Sequence, residues 1–349
     1  MRSITLRELA RKARVSPATA SRILNGDPSV RQSSRERVLA LAKALDYQPN
    51  LLAKGLRAGR THTLALIVDN VANPFFADVT LGIEDRVHEC GYSLFLCNTN
   101  QDSKRALDYL DALSARGVDG VIYASTLDVE QVAARLDRLR REGVRLVLLG
   151  NLGRRLHTLE VPSVSVDERT GVALAVRHLV ELGHRAIGFV QGRAASVINQ
   201  ERFAGYVGAL AEAGCTCRPE WCPEGHYRLG PAQEAVGALL ARSPRPTALI
   251  AANDLMALGA YRAVRENGLR VPEDLSVVGF DDVDFAQDLS PPLTTVHVDR
   301  RVLGDTAARA LLAAIDGGGG GEVPRVMLTP RLMVRGSATA CRTPAVEVS

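Results

Sequence analysis

Residues 15–26 read VSPATASRILNG, and this stretch carries start and stop signals for one short helix. Ser16 followed by Pro17 is a helix cap with proline at the first helical position, and Asn25-Gly26 supplies a left-handed stop. The residues able to face a core are Val15, Ala20, Ile23 and Leu24. The opposite surface is small and rich in hydroxyl groups, so the helix is predicted to pack with one side and to contact a partner with the other.

Capping signals also mark a helix on each side of this one. Thr5 and Glu8 have the spacing of a capping box. Ser33 and Glu36 repeat that spacing before an apolar helix face that runs from Val38 to Leu45. Three small helices with a tight turn between the first two predict a helix-turn-helix unit.

Charge is distributed unevenly along the 349 residues. Residues 1–60 hold 13 Lys or Arg against 4 Asp or Glu, a net charge of +9, and the remaining residues hold 30 against 35, a net charge of −5. The solvated surface of short helices is one explanation for so basic a segment. Together with the helix-turn-helix pattern, however, the asymmetry favours a polyanionic partner, and we predict DNA binding.

Helical geometry places Pro17, Ala18, Ser21 and Arg22 on the outer surface of the middle helix. This surface is small enough to enter a major groove. There Arg22 can donate two hydrogen bonds to a guanine edge, and Ala18 or Pro17 can contact a thymine methyl group. The hydroxyl groups expected to bond phosphates are those of Ser16, Thr19 and Ser21. The middle helix is therefore predicted to be the recognition helix.

From residue 61 onward the pattern changes to buried strands alternating with helices. Apolar runs such as TLALIVD (63–69) and SVVGFDD (276–282) alternate with amphipathic stretches at 75–89, 102–115, 168–183, 200–214 and 254–268. This alternation predicts parallel α/β sheets. The stretch is too long for one compact doubly wound domain, so we predict two lobes with a cleft between them.

Composition and motifs argue against several classes of protein. The chain is 46% hydrophobic and 23% charged, and it lacks an apolar run of signal-peptide or membrane-span length, so we expect a cytoplasmic protein with no membrane contact and with its six cysteines reduced. Cys215, Cys217 and Cys222 precede His226, but they lack the paired C-x-x-C spacing of a zinc site, and no metal is predicted. The common nucleotide-binding, hydrolase and metalloprotease motifs are missing, so no cofactor or enzymatic activity is predicted.

Several ordered motifs resemble those of one family. ITLRELARKARVSPATASRILNG (4–26), RERVLALAKALDYQPNLLAKGLR (35–57), NPFFADVTLGIEDRVHECGY (73–92), TALIAANDLMALGA (247–260), SVVGFDD (276–282) and PPLTTV (291–296) together look like the lactose/galactose repressor (LacI/GalR) family. The resemblance implies a homodimeric transcription regulator that binds near-palindromic operator DNA and is switched by a small molecule. It also implies an α/β fold, with a small all-α helix-turn-helix head and two lobes of periplasmic-binding-protein-like, doubly wound parallel sheets.

The resemblance also implies domain boundaries. Residues 1–48 are expected to form the DNA-binding domain, 49–60 a hinge helix or linker, 61–341 the effector-binding and dimerisation domain, and 342–349 a tail. Lobe one is expected at about 61–162 and 295–325, and lobe two at about 163–294 and 326–341. The glycine run at 317–321 is expected to be a loop.

The segment YQPNLLAKGLRAGR (47–60) is predicted to link the two parts. Pro49 disfavours helix at the residue before it, Asn50 can cap a helix that begins after it, and residues 51–58 are too short to be a stable helix alone in water. A flexible linker is one interpretation. The resemblance implies a hinge helix that folds on DNA, with Leu56 wedged between base pairs. The DNA contacts expected in full are Thr5, Ser16, Pro17, Ala18, Thr19, Ser21, Arg22, Asn25, Tyr47, Asn50, Ala53 and Leu56.

Ligands of open α/β sheets bind beyond the carboxyl ends of strands. The residues that directly follow predicted strands are Asn73, Phe75, Phe76, Asn151, Asn253, Asp254, Asp281 and Asp282. Each also has a structural explanation: Asp254 could cap the next helix, and Phe75 or Phe76 could belong to the core. The sequence alone leaves both explanations open.

Matching positions in the family imply a particular set of effector contacts. These are Phe75, Phe76, Asn151, Arg202, Tyr227, Asn253 and Asp281. Their polar groups suit a hydroxyl-rich ligand and their aromatic rings suit an apolar ring face, which favours a sugar or related metabolite. Gly150 departs from the family, because sugar-binding relatives often carry an aspartate there. The alternative function, a solute-binding or sugar-handling protein without a DNA role, explains only the lobes.

Overall fold

The structure, a computed structural model, describes residues 4–24, 26–47, 60–125, 129–150, 158–317 and 323–341. It divides into two compact units, Met1–Thr61 and His62–Ser349, and we call these the head and the body. The tail at 342–349 and the glycine run beyond Gly317 lie outside the described residues. Within the described part of the chain, no helix is long and apolar enough to cross a membrane.

The head is a helix-turn-helix unit, as predicted. Its helices are α1 (Leu6–Lys12), α2 (Pro17–Leu24) and α3 (Gln32–Ala44). Leu9, Ala20, Ile23 and Val38 are almost completely buried and form its core. Thr5 and Glu8 close the predicted capping box on α1. One face of α2 is thereby fixed against the core, and its other face is presented outward.

The predicted capping box at Ser33 and Glu36 is wrong. Helix α3 begins at Gln32, with Arg31 at the N-cap and no side-chain capping bond. Ser34 and Arg35 both donate backbone hydrogen bonds to the carbonyl of Arg31, so the helical turn starts before Ser33. Capping-box spacing recurs by chance inside helices, and here the preceding loop sets the start of the helix instead.

The described residues of the body form two sheets. The strands of the first are β1 (Thr63–Val68), β2 (Ser93–Asn98), β3 (Gly120–Ala124), β4 (Arg145–Leu149), β5 (Ser163–Val166) and β10 (Arg325–Leu328). They pair in parallel in the order β10-β5-β4-β3-β1-β2. Strands β1, β3 and most of β4 are buried, which explains why they read as continuous apolar runs.

The strands of the second sheet are β6 (Ile187–Val190), β7 (Ala248–Ala251), β8 (Ser276–Asp281), β9 (Thr294–His297) and β11 (Arg331–Met333). Their order is β11-β9-β8-β7-β6. All pairings are parallel except that of β11 with β9. The predicted two-lobed α/β body is therefore confirmed.

Helices cover both sheets. Those associated with the first sheet are α4 (Pro74–Glu89), α5 (Ser103–Arg116), α6 (Val129–Arg141) and α11 (Arg300–Ile315); those associated with the second are α7 (Glu168–Glu181), α8 (Val197–Glu212), α9 (Leu229–Leu240) and α10 (Asp254–Glu266). Short 3₁₀ helices span Pro219–Trp221 and Asp284–Gln287. Helix α11 packs along α4, and α9 packs along α10.

The chain passes between the two lobes three times, after β5, after β9 and after β10. Strand β5 pairs with β4 and β10 in the first sheet, beyond the expected lobe boundary at 162. Strand β9 pairs with β8 in the second sheet, and β10 belongs to the first sheet beyond residue 325. The crossings therefore lie a few residues from the expected boundaries, because sheet membership depends on the hydrogen-bonding partner and not on the strand's own sequence.

Candidate functional site

The predicted effector contacts meet in a cleft between the carboxyl ends of the two sheets. Six of the seven expected residues line it, and Asn151 lies outside the described residues. The lining residues are Asp69, Asn70, Asn73, Phe75, Phe76, Gln101, Ala124, Leu149, Gly150, Ser165, Val166, Glu168, Ile198, Arg202, Tyr227, Asn253, Asp281 and Leu303.

Arg202 of α8 is the central charged group of this cleft, and it is buried. Its Nε donates a 2.7 Å hydrogen bond to Glu168, and one terminal nitrogen donates to the carbonyl of Ala252. The other terminal nitrogen lies 3.7 Å from Oδ1 of Asp281. The guanidinium also stacks on Phe280, with 3.7 Å between Cζ and the ring centroid. These contacts leave the guanidinium little freedom, so it can orient a ligand.

Two buried carboxylates share this one guanidinium. Burial raises the pKa of Glu168, although the charge of Arg202 acts in the opposite direction. Burial likewise raises the pKa of Asp281 well above its ordinary value. Each nitrogen of the Arg202 guanidinium already faces an acceptor, so the cleft offers carboxyl oxygens and no free cationic group, which favours a ligand that donates hydrogen bonds over an anionic one.

Sequence reasoning missed Glu168. It is the first residue of α7, directly after the N-cap Asp167. Acidic residues are common in a first helical turn, because the positive end of the helix dipole stabilises their negative charge. An acidic residue at this position therefore does not by itself indicate a binding site. The only hint in the sequence is its position soon after Ser163–Val166, a run too short to predict a strand by itself.

Two hydrogen-bonding groups at the cleft lack partners among the described residues. Asn253 caps α10, where its side-chain oxygen accepts a 2.9 Å hydrogen bond from the backbone N–H of Met256, but its buried Nδ2 has no partner. The buried hydroxyl of Tyr227 has none either. Gly192 makes room for the Tyr227 ring, because a Cβ there would lie 2.1 Å from it. Unpaired buried polar groups are costly, and a ligand can satisfy both.

Asp254 serves the structure and not the cleft. Its two carboxylate oxygens accept hydrogen bonds from the Thr295 hydroxyl at 2.6 Å and the Val283 backbone N–H at 2.9 Å. It is not among the residues that line the cleft, and Asn253 is the cap of α10 in its place. The idea that Asp254 caps this helix is therefore wrong, because the helix begins with Asp254 itself.

Aromatic residues form an apolar wall on the lobe-one side. Phe75 and Phe76, at the start of α4, meet edge to face with ring centroids 5.2 Å apart. Both pack partly against the core and both line the cleft. The structural explanation and the ligand-binding explanation that the sequence left open therefore both apply to these two residues. Asn73 holds this turn by accepting a 3.2 Å hydrogen bond from the Phe75 N–H.

Hydrogen bonds also cross the cleft at its rim. The Gln101 amide donates to the carbonyl of His226 at 3.2 Å, and Arg193 donates to the carbonyl of Gln101 at 3.3 Å. Arg228 donates to the backbone and side-chain oxygens of Asn100, both at 3.3 Å. The sequence showed none of these contacts, since they join loops more than ninety residues apart. They hold the two lobes together across the cleft.

In the head, the predicted recognition surface is exposed. Ser16, Pro17, Ala18 and Arg22 face outward, and 61% of the Arg22 side chain is accessible. The Ser16 hydroxyl accepts a 3.0 Å hydrogen bond from the Thr19 N–H and lies 2.8 Å from the Thr19 hydroxyl, so both hydroxyls already have local partners.

The remaining predicted DNA contacts fall into three groups. Thr5 is exposed and caps α1, and Ser21 is half-buried. Tyr47 packs partly against the head core, and burial raises its pKa. Those outside the described residues are Asn25, Asn50, Ala53 and Leu56.

The cysteines after α8 make contacts within the protein. The Cys222 thiol lies 3.4 Å from the carbonyl oxygen of Arg218 and 3.9 Å from the Tyr206 hydroxyl. Burial raises the pKa of Cys222 to about 12, which favours the thiol over the thiolate that metals bind. Among the residues described, no group of three His, Cys, Asp or Glu side chains is placed to hold a metal ion.

Known proteins similar to this chain share both of its parts. The profile of "Bacterial regulatory proteins, lacI family" matches residues 5–50, and that of "Periplasmic binding protein-like domain" matches residues 176–338. The HTH-type transcriptional repressor PurR of Haemophilus influenzae (strain PittEE) is 34% identical over 335 residues, which cover 95% of this chain and 98% of that protein.

Two solved structures share the whole architecture. The lac repressor dimer bound to operator and the anti-inducer ONPF superposes with a TM-score of 0.85 at 29% identity, covering 97% of this chain and all of that one. The complex of the transcriptional regulator CelR with cellobiose superposes with a TM-score of 0.73 at 33% identity, covering 96% of this chain and all of that one.

Proposed function

Because the chain belongs to the lacI family of bacterial regulatory proteins, we propose that a neutral, hydroxyl-rich small molecule, most simply a sugar, binds its cleft and switches its affinity for operator DNA. The chain is a DNA-binding transcriptional repressor with an effector-binding domain, and the family consists of regulators and not enzymes. Its place of action is proposed to be the cytoplasm, where its operator lies.

The class of effector is inferred from the hydrogen-bonding and apolar groups that surround Arg202 in the cleft. Glu168 and Asp281 can accept hydrogen bonds from ligand hydroxyls, and the unpaired Nδ2 of Asn253 needs an acceptor. Phe75 and Phe76 offer an apolar surface to the C–H face of a ring. A sugar presents donors, acceptors and an apolar face together. An anionic ligand would face two carboxylates for one guanidinium. The relative solved with cellobiose supports the same class.

A ligand screen tests this proposal. We expect neutral sugars to include one that raises the melting temperature of the full chain, and sugar phosphates to have no effect. In Asn253→Ser the serine oxygen still caps α10, while the amide that faces the cleft is lost. This variant should melt like the wild type without ligand and bind the sugar at least tenfold more weakly by calorimetry. Stabilisation by sugar phosphates alone, or unchanged sugar affinity in the variant, would overturn the assignment.

We further propose that the protein is a homodimer on a near-palindromic operator, with half-sites about one helical turn apart. Support comes from the relative solved as an operator-bound dimer and from exposed apolar side chains on and beside β2, namely Val71, Leu81, Phe95 and Leu96. Operator affinity should fall steeply as salt concentration rises, because phosphates are neutralised by a basic head. A gel-shift titration at several salt concentrations measures this slope, and a flat slope contradicts the proposal.

The segment at 49–60 is proposed to be a hinge helix that folds when the head docks on DNA, with Leu56 as a minor-groove wedge. Support comes from the match of the family profile through residue 50 and from the motif that continues to residue 57. Effector binding would change the spacing of the two hinge segments in the dimer and so the operator affinity. A circular-permutation gel with Leu56→Ala measures the bend, and an unchanged bend contradicts this role.

A further inference from the structure

The loop between α2 and α3 is anchored at Asp27. The Asp27 N–H donates a 3.0 Å hydrogen bond to the carbonyl of Arg22 at the end of α2. The Asp27 carbonyl in turn accepts a hydrogen bond from Arg35 of α3. Asp27 is therefore held by the recognition helix on one side and by the next helix on the other.

The side chain of Asp27 is held equally firmly. One carboxylate oxygen accepts hydrogen bonds from the Ser29 N–H at 2.9 Å and the Ser29 hydroxyl at 2.7 Å. The other accepts a 2.9 Å hydrogen bond from Nε of Arg22. Hydrogen bonds from Ser29, followed by that from Arg22, lower the pKa of Asp27 to about 2, so this carboxylate is charged at neutral pH.

These contacts occupy one edge of the Arg22 guanidinium and leave another free. Nε is bonded to Asp27, and one terminal nitrogen donates to the Ser29 hydroxyl at 3.2 Å. The remaining N–H groups point along the end of the side chain, on a residue that is 61% exposed. Guanine presents two acceptors, O6 and N7, with a spacing that this free end can bridge.

We propose that Asp27 and Ser29 are positioning residues that fix the Arg22 guanidinium for end-on contact with a guanine in the operator. The inference rests on the proposed role of α2 in reading DNA. An arginine held before DNA arrives loses less conformational freedom on binding than a free one. The Asp27 carboxylate also repels the phosphates of all DNA, and the contact of Arg22 with the matching guanine offsets this repulsion only at the operator. Both effects increase the ratio of specific to non-specific affinity.

Asp27→Asn in the full chain tests the proposal. The probe is a palindromic duplex selected by the wild-type protein from a randomised pool, compared with the same duplex after replacement of its guanines one at a time. At one guanine per half-site, the loss on replacement should be about tenfold smaller in the variant than in the wild type. Affinity for an unrelated duplex should stay equal or rise, since a negative charge has been removed.

Asp46→Asn is the matched control. Asp46 is an exposed carboxylate at the end of α3 in the same unit, and it makes no contact with Arg22. This control removes the same charge from the head and should keep full base discrimination. Ser29→Ala keeps the carboxylate and removes one of the two contacts with Arg22, so it should show a smaller loss of discrimination in the same direction.

Three results would overturn the inference. The first is full discrimination in Asp27→Asn, and the second is an equal loss of affinity for selected and unrelated duplexes, which indicates a role in folding the loop only. The third applies if Asp27→Asn does not fold: full base discrimination in Ser29→Ala would then overturn the inference. A different result would contradict the proposed function itself: the wild-type protein selects no preferred duplex from the randomised pool. If Arg22→Ala abolishes discrimination while Asp27→Asn retains it, the DNA role stands and the positioning role falls.

Discussion

At the scale of single residues, the buried ion pair between Arg202 and Glu168 predicts a large effect on stability. Only 7% of the Arg202 side chain and 6% of the Glu168 side chain are accessible. Arg202→Ala leaves the Glu168 carboxylate buried without its cation, which should lower the free energy of unfolding by about 3–5 kcal/mol at neutral pH. Urea denaturation measures this loss.

Two further variants separate this explanation from simple loss of packing. Adding Glu168→Gln to Arg202→Ala removes the stranded charge and should restore part of the stability. Arg177→Ala breaks an exposed ion pair with Glu212 that joins the same two helices, α7 and α8, and should change stability little. A double variant no more stable than Arg202→Ala alone would mean that the charge of Glu168 is not the cause.

Asp254 predicts a pH dependence. Burial raises its pKa from 3.8 to about 7. Between about pH 4 and pH 7 the folded protein therefore keeps a proton that the unfolded chain has lost, so this residue's contribution to stability falls as pH rises, by up to about 1.4 kcal/mol per pH unit. Below about pH 4 both states are protonated and the contribution is complete.

Asp254→Asn tests this dependence. Asparagine can keep both hydrogen bonds, accepting from the Val283 N–H and donating to the Thr295 hydroxyl, and it does not titrate. The free energy of unfolding should then vary less with pH than in the wild type over this range. Asp274→Asn is the control, because Asp274 is only half-buried and hydrogen bonds from Arg270 lower its pKa. Identical pH profiles for wild type and Asp254→Asn would refute the role assigned to burial.

At the scale of helices and strands, local signals account for what could be predicted. Helix α2 was predicted from Ser16-Pro17 and the apolar spacing of its buried residues, which are set within one or two turns of chain. The central strands were visible as apolar runs because both of their faces are covered. Strands β5, β9, β10 and β11 have three or four residues each, and they exist through pairing with strands distant in sequence.

The same limit applies to the site. Arg202, Asn253 and Asp281 could be anticipated, because the ends of parallel strands meet at one edge of a sheet or because the family resemblance marked them. Glu168 and the rim contacts of Gln101 and Arg228 could not, since their importance arises from groups more than thirty residues away. The roles of these residues come from tertiary contacts, and such contacts cannot be predicted from the sequence around each residue.

Strand β2 predicts where the proposed dimer forms. It is at one edge of the first sheet, and Phe95 and Leu96 are 42% and 46% exposed. Exposed apolar groups on an edge strand favour association with another chain. If the proposed dimer forms there, Phe95→Arg should give a monomer in sedimentation experiments and weaken operator binding. Met327→Arg introduces the same charge on β10, the opposite edge of the sheet, and should leave the dimer intact. If the two substitutions act alike, the interface lies elsewhere.

At the scale of the whole molecule, Arg300 connects the two lobes. It is the first residue of α11, which packs on α4 in the first lobe, and its Nε donates a 2.7 Å hydrogen bond to Asp78 of α4. Its NH1 group donates to the carbonyls of Asp281 and Asp282 at the end of β8 in the second lobe, each at 2.6 Å. One buried guanidinium thus joins a helix of one lobe to the strand end that presents a cleft residue.

The backbone that Arg300 holds is unusual. Asp281 and Asp282 have φ of 113° and 54°, in the region that residues with a side chain rarely adopt. The Asp282 carboxylate is also fixed, by Arg335 at 2.6 Å and by His297 at 2.8 Å. Such a conformation persists when its surroundings hold it, and here they hold it at the predicted effector contact Asp281. Movement of one lobe would therefore be transmitted to this contact through Arg300.

A double-mutant cycle with Arg300→Met and Asp78→Asn measures how strongly the first lobe holds this guanidinium. Only 9% of the Arg300 side chain is accessible, so solvent screens its ion pair with Asp78 little, and the two substitutions should be coupled by about 1–3 kcal/mol in the free energy of unfolding. The neighbouring pair Arg301 and Asp85 joins the same two helices at 2.8 Å with both side chains more than half exposed. Its cycle should show coupling near zero, because solvent screens exposed charges. Equal coupling in the two cycles would mean that burial adds nothing to the ion pair between Arg300 and Asp78, and Asp78 would then not be what holds the Arg300 guanidinium against the Asp281 and Asp282 carbonyls of the second lobe.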